Sequence, residues 1–559
     1  MITIQYNKSD LRYIFLTGDA LELKALEKCL NKIPEYMFLP SFSGIPKPEV
    51  FLNKFKTKTG QIAYWCHTGL YKTIMDWCAN NKIQCEGVDG IIKYTNFNLS
   101  LSEFTDYIKK WQLNLTPRDY QVKAAWLILK YRCSLSQLAT RAGKTLIAYI
   151  IMRYMIENGA NNVLMVVPSI QLVKQGVQDF QEYKEFFSTE TVWAKGEYCE
   201  GSNLTIGTFQ SLVKRADKSS EKYDPKWFEK FDVVIVDECH HLICKSINTI
   251  LSQPFMKHVK LRFGFSGTLP EEYSIDSFCC HSLMGPTIQD LTSAELISDG
   301  VLAKPNITQI RIKYPENEQL IDEYIMCGEY LCGNYKLDDN KKKILLPKEQ
   351  RDFTMTHEKI LPFAVQKVKM MYDKSQYKDY LVDLCKSQGS NLLMLEQMII
   401  HRSNIRINVM IDILRKLDKN CIVFGHHTAY LKYLKETFET TFPNKQVLII
   451  TGNIDVKKRE QIIKTMNENN SVILVASYGC VGTGLTFKNV DYAIFAQSFK
   501  SDIMNKQSIG RGLLKTTEKD TFYIYDLIDC LPTKRIFSQG VAKIKIYKKE
   551  KFEYRIIEM

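Results

Sequence analysis

At 559 residues the chain is too long for one hydrophobic core, and its length implies three or four domains. A content of 45% hydrophobic and 25% charged residues is that of an ordinary soluble globular protein, which excludes a disordered or low-complexity chain. The net charge of +13 favours polyanionic partners, though only modestly over this length. Sixteen cysteines are scattered without any Cys-x-x-Cys pair, the first residues lack the pattern of a signal peptide, and no apolar run approaches ~18 residues. These features imply free thiols in a reducing cytoplasm and no membrane partner.

In chain order, residues 1–112 form a separate N-terminal α+β module, an accessory domain expected to bind substrate. Within it Val50–Lys58 and Gln61–His67 flank Thr59-Gly60 and predict a β-hairpin. The two-residue period then sets Lys54, Lys56 and Lys58 on one face and Phe51 and Phe55 on the other. That lysine row has two readings, a track for a phosphate backbone or a solvated face.

Residues 113–302 alternate short β-rich runs with helical patterns, the signature of a parallel α/β sheet. Strands are predicted at Val163–Val167 and Val233–Val236, with a helix over Thr145–Glu157 ending at Asn158-Gly159. Residues 303–531 form a second lobe of the same plan. It begins with a polar, mostly helical segment at 303–417 that carries the charged run Lys341-Lys342-Lys343. Its strands are predicted at Cys421–Phe424, Val447–Ile450, Val472–Ala476, Tyr492–Phe495 and Phe522–Tyr525. The last stretch, 532–559, holds eight Lys or Arg against three Glu and is expected as a basic tail, either a solvated helix face or a phosphate contact.

Two elements carry chemistry. Thr140-Arg141-Ala142-Gly143-Lys144-Thr145 lies between an apolar run and a helix, where backbone N–H groups can turn toward a phosphate. Lys144 would reach the β- and γ-phosphates and the Thr145 hydroxyl would hold Mg²⁺. The apolar strand ending in Asp237-Glu238 delivers two carboxylates to the edge where open α/β sheets bind ligands. Asp237 suits a Mg²⁺ shell, and Glu238 can orient and deprotonate a water. Cys239, His240, His241 and Cys244 belong to this box, since adjacent ligands suit a tetrahedral zinc site poorly.

With these residues in place the chain resembles superfamily 2 helicases, in which Asp-Glu-Cys-His is a form of motif II. Gln121, in Arg118-Asp119-Tyr120-Gln121, matches the glutamine that reads adenine in that family. Val166–Leu172 and Ile206–Leu212 look like motifs Ia and Ib, which implies strand contacts from Pro168, Ser169, Gln171, Thr208 and Gln210. Ser266-Gly267-Thr268 resembles motif III, which couples hydrolysis to movement. Ile422–Gly425 resembles motif IV, Val475–Leu485 motif V with Gly484 toward the nucleotide, and Gln507–Gly512 motif VI with Gln507 and Arg511 in the catalytic set.

The resemblance implies two RecA-like parallel-sheet lobes in tandem, with ATP held between the carboxylates of one and Arg511 of the other. It is most specific for the UvsW-type helicases of tailed phages, through Val475–Gly479, Lys488-Asn489, Lys500-Ser501 and Asp526–Asp529. That likeness implies an ATP- and Mg²⁺-dependent monomer in an infected bacterial cytoplasm that unwinds or branch-migrates forks, four-way junctions and RNA–DNA hybrids. The same motifs serve translocases that move on duplex DNA without separating it. They would also serve an ATP-binding clamp with weak hydrolysis. Two positions depart from the family: Leu514 stands where motif VI usually has a second arginine, and Arg141 where the phosphate loop commonly has glycine.

Overall fold

The computed structural model describes residues 1–314, 335–337, 343–345 and 403–559, apart from 8–9, 35–36, 38–46, 88–90, 92, 95, 194–200, 244–249, 453, 482–486, 498–507, 511, 517–518 and 531–534. The Lys341-Lys342 pair and Cys244 therefore lie outside the described residues. The chain divides into two compact units, the first built from most of residues 1–296 and the second from 297–559.

The first unit holds two sheets. The smaller is mixed, with strands β1 (Ile2–Tyr6), β2 (Tyr13–Gly18), β3 (Asn53–Lys56), β4 (Ile62–His67) and β5 (Cys85–Glu86) in the spatial order β3-β4-β2-β1-β5. The expected hairpin is present as β3 and β4, paired from Asn53↔Trp65 to Lys56↔Ile62. Its turn closes with Gly60 at φ +82°, a backbone that glycine adopts without strain. Lys54, Lys56 and Lys58 are all exposed, while Phe55 packs on Phe15 and Phe51 on Phe278.

Phe278 belongs to the lobe that follows, so the N-terminal module shares its core with that lobe rather than standing apart. Arg12 donates to the carbonyls of Ser252 and Gln253, at 2.6 and 2.5 Å, and Lys32 donates to the Tyr273 carbonyl at 2.6 Å. Gly69 sits so close to the helix Ile275–Met284 that a Cβ there would meet the His281 carbonyl oxygen at 1.9 Å.

The larger sheet has seven parallel strands: β6 (Cys133–Leu138), β7 (Val163–Val167), β8 (Thr189–Val192), β9 (Leu204–Thr208), β10 (Val233–Asp237), β11 (Leu261–Ser266) and β12 (Thr287–Leu291), in the order β12-β6-β11-β10-β7-β9-β8. Central strands such as Val-Val-Ile-Val of β10 are apolar throughout because helices cover both faces of a parallel sheet.

The second unit is another seven-stranded parallel sheet: β13 (Lys304–Lys313), β16 (Cys421–Gly425), β17 (Val447–Ile450), β18 (Ile473–Ser477), β19 (Tyr492–Phe495), β20 (Thr521–Cys530) and β21 (Glu553–Glu558), with β14 (Tyr335–Leu337) and β15 (Lys343–Leu345) as a small separate hairpin. Each strand predicted for this lobe falls within two residues at its start, but β20 runs five residues beyond the predicted Tyr525. Two parallel α/β lobes behind a small mixed sheet are the tandem RecA-like plan.

Two expectations need correction here. The segment 303–417 does not open as helix: Lys304–Lys313 is a ten-residue strand pairing with β20 on one side and β21 on the other. Its polar residues disguise it, since Gln309 is fully buried and donates to Asp526 and to the Gly540 carbonyl. Nor is 532–559 a tail. It forms the helix Arg535–Lys549 and then β21, which completes the sheet. Lys543, counted among its basic residues, is fully buried against Asp526 at 2.5 Å, because an ammonium removed from water must be paired.

Candidate active site

Parallel strands place the ends that carry motifs along one edge of the first lobe's sheet. In spatial order, that edge carries the phosphate loop after β6, Ser266–Thr268 after β11, Asp237-Glu238 after β10, Pro168-Ser169 after β7 and Thr208–Gln210 after β9. The sheet thus gathers segments that are far apart in sequence into a nucleotide half and a neighbouring half with helix caps. Open α/β sheets bind ligands at this edge.

The loop is shaped for an anion. Arg141 and Gly143 both take left-handed backbone, with φ +69° and +82°, and the helix Lys144–Glu157 starts directly after them. Left-handed residues beside a helix N-terminus make a concavity of N–H groups, the fit a triphosphate requires. Glycine at 143 is favoured by its positive φ, and a Cβ there would meet the Gln121 amide nitrogen at 2.1 Å, so that Gln121 would have to move.

Gln121 is therefore part of the loop's scaffold. It is buried, accepts from the Arg118 N–H at 2.9 Å and donates to the Ala142 carbonyl at 3.0 Å. Tyr120 reaches the same carbonyl through its hydroxyl at 3.1 Å. Reading of adenine was the role implied for Gln121; in this structure its amide supports the phosphate loop.

The carboxylates sit where the strand register delivers them. Lys144 Nζ is 2.8 Å from Glu238 Oε1. Glu238 has φ +50°, a strained backbone of the kind that collects at functional sites. Burial alone would raise its carboxyl, but the Lys144 ammonium and the His240 ring outweigh that and hold it well below the usual range. Asp237 moves the other way, raised by burial with further help from the Glu238 charge, against the opposing pull of Lys144. Two half-buried acids thus lie beside one lysine, which is ion-paired with Glu238, a donor set suited to a divalent cation.

Sequence reasoning left His240 without a role. Its Nδ1 lies 2.9 Å from Ser266 Oγ and 3.4 Å from Glu238 Oε2. The Ser266 oxygen also accepts from the Thr268 N–H at 3.2 Å. One imidazole therefore links the Glu238 carboxylate to the segment expected to couple hydrolysis to movement. Thr268 Oγ1 is buried and makes no hydrogen bond. The signal that could have found this link is the fourth letter of Asp-Glu-Cys-His.

Along the other half of the edge, Ser169 caps the helix Ile170–Tyr183 by accepting from Leu172 N–H, and Thr208 caps Phe209–Ala216 by accepting from Ser211 N–H. Gln210 donates to the Pro168 carbonyl at 3.4 Å, which ties the two segments together. Gln171 lies half-buried in the first turn after Ser169. In the second lobe, Gly484, Gln507 and Arg511 lie outside the described residues. Leu514 pairs its backbone with Leu302, beside the entry to β13.

Family models agree with this layout. The res subunit of type III restriction enzymes matches residues 114–271, and the helicase conserved C-terminal domain matches 405–513. Both halves of the motor region are thus similar to helicase-type families. Among curated proteins, the ATP-dependent DNA helicase uvsW of Enterobacteria phage T4 is 25% identical over 522 residues, covering 89% of this chain and 86% of that protein. The DNA 3'-5' translocase XPB2 of Sulfurisphaera tokodaii is 23% identical over 408 residues, or 73% of this chain and 80% of the translocase. Among solved structures, the ATP-dependent type ISP restriction-modification enzyme LlaBIII bound to DNA aligns over 86% of this chain and 34% of its own, at 14% identity and a TM-score of 0.53. That last likeness concerns the fold alone. The chain is an ATP-hydrolysing enzyme, and among its described residues no helix is long and apolar enough to cross a membrane.

Proposed function

We propose that this chain is a superfamily 2 helicase that couples ATP hydrolysis to movement on DNA and unwinds or branch-migrates forks, four-way junctions and RNA–DNA hybrids. The observation that carries the reading is the single sheet edge on which a phosphate loop, the Asp237-Glu238 pair and two capped helix starts lie side by side. The similarity to the phage T4 DNA helicase, spread over most of both chains, supports DNA as the track.

In this reading Thr140 to Thr145 hold the triphosphate, with Gly484 contributing from the second lobe. Lys144 turns from Glu238 to the phosphates when ATP binds. Thr145 and Asp237 hold Mg²⁺, which when bound supplies positive charge against the phosphate oxygens. Glu238, released from Lys144, takes a proton from the attacking water at its carboxylate oxygen. Arg511, with Gln507 beside it in motif VI, supplies charge to the phosphoryl group in transfer. Ser266 and Thr268, joined to Glu238 through His240, pass the change to Pro168, Ser169, Gln171, Thr208 and Gln210, which hold the strand. Lys54, Lys56 and Lys58 engage the duplex arms.

The test is phosphate release with single-stranded, duplex, forked and four-way DNA, run beside strand displacement. Forks and junctions should stimulate turnover most and lose their annealed strand. A second reading, a duplex translocase that separates nothing, is favoured by the similarity to XPB2. It predicts displacement of a triplex strand with the duplex left intact. Absence of DNA-stimulated phosphate release would reject both and leave an ATP-binding clamp.

A further inference from the structure

The first unit carries a second cluster of positive charge, at the edge of the sheet opposite the phosphate loop. Arg132 directly precedes β6, and Arg262 is the second residue of β11, next to it in the sheet. Six strand residues separate Arg132 from the loop, a distance of about 20 Å. Both arginines line a cavity of about 30 Å³ at the joint between the N-terminal module and the lobe, together with Tyr6, Arg12, Thr68 and Lys260.

The charge there is unbalanced. Arg12 is matched by Asp10, through contacts of 2.8 and 2.5 Å, and Lys260 lies 3.6 Å from Asp232. Arg262 is 6% exposed and meets only carbonyl oxygens, those of Leu283 and Met256, at 3.3 and 3.4 Å. Arg132 has its Nε buried without a hydrogen-bond partner. Neither has a carboxylate within ion-pair distance among the described residues. His67, beside Thr68, is pushed down to about 4 by burial and by Arg262 and Arg12, so its ring adds no charge near neutrality. Its Nδ1 is also buried and unpaired.

A buried guanidinium without a counter-ion, as at Arg262, is costly, and so is the buried, unpaired Nε of the half-buried Arg132. The room is about twice what one water needs. We infer that the cavity lined by Arg132 and Arg262 binds a tetrahedral oxyanion, a phosphate or sulfate group, which fastens the N-terminal module to the first lobe. This site is distinct from the nucleotide site and rests on none of the roles proposed for it. The oxyanion comes either from solution or from a nucleic-acid backbone.

Thermal unfolding of the full-length Lys144→Ala protein tests this, because that background weakens phosphate binding at the loop. Titration with inorganic phosphate at constant ionic strength should raise Tm with the logarithm of phosphate above Kd, by roughly 3 °C at ten times Kd. Arg132→Gln should abolish the rise and Arg132→Lys should retain most of it. An equal rise in all three proteins would overturn the site, since it would then be a general salt effect. A single-stranded oligonucleotide that competes with phosphate only when Arg132 is present identifies a backbone phosphate as the source; no competition identifies the free ion. Should Arg132→Gln fail to fold, a sulfate-soaked crystal of the unmodified protein decides the matter. Density between Arg132 and Arg262 is expected, and its absence at saturating sulfate refutes the inference.

Discussion

Two pairs of acids make the most instructive comparison in this molecule. In the first lobe, Asp237 ends strand β10 and Glu238 follows it; among the described residues Lys144 is ion-paired with Glu238 and only attracts Asp237 from a distance. In the second, Asp526 and Asp529 lie within β20, and each has a buried cation of its own. Lys543 and the Tyr547 hydroxyl serve Asp526, at 2.5 and 2.9 Å. Arg406 grips both oxygens of Asp529 at 2.8 and 2.7 Å and also reaches the Ala496 carbonyl, while Tyr314 donates to Asp529 at 2.7 Å. One pair is short of positive charge and lies beside a helix start; the other is neutralised and closed. The same residue type is proposed to do chemistry in the first place and holds a lobe together in the second.

This contrast predicts that damage to the first pair removes turnover and spares stability, with the reverse for the second. The largest effect should come from Arg511→Ala, which removes an arginine of the catalytic set and should lower ATPase kcat by a factor on the order of 10³–10⁵. Steady-state phosphate release on forked DNA measures it, and wild-type turnover would exclude that role. Glu238→Gln should cost about 10²–10⁴ in kcat while ATP still binds, because a proton acceptor is lost but the loop is not. Filter binding of labelled ATP separates the two quantities.

Damage to the second pair should read out as unfolding. Asp529→Ala strands a fully buried guanidinium, and should destabilise the lobe by about 3–5 kcal/mol in urea denaturation. Replacing both partners sharpens the point. Asp526→Leu with Lys543→Met should be less destabilised than either single change, since no unpaired charge remains. A double variant worse than both would show that the hydrogen bonds from Gln309 and Tyr547 matter more than the ion pair.

The smallest effect concerns the exposed lysines of the N-terminal hairpin. Glutamine at 54, 56 and 58 should weaken fork binding at low salt and reduce the slope of log K against log salt by about 2–3. Binding unchanged at low salt would leave that row as a solvated face.

Much of this was legible in one dimension because the chemistry is local. A strand, a turn and a helix start make a phosphate loop within a dozen residues, and an apolar run that ends in two acids announces a strand delivering them. The hairpin of β3 and β4 was equally local, since a turn and a two-residue period specify it. His240 escaped because its partner, Ser266, is remote in sequence and meets it only through the pairing of β10 with β11.

By itself the amino-acid sequence determined the two α/β lobes, several of their strands, and a phosphate-type loop and an acidic pair on one of them, all of which depend on short-range periodicity and on residue chemistry. Only the tertiary structure decided that polar Lys304–Lys313 is an inner strand, that the C-terminal residues complete the second sheet, and that the N-terminal module shares a core with the first lobe. The reason is physical: Gln309 and Lys543 look like surface residues until Asp526, far away in the chain, gives each a buried partner.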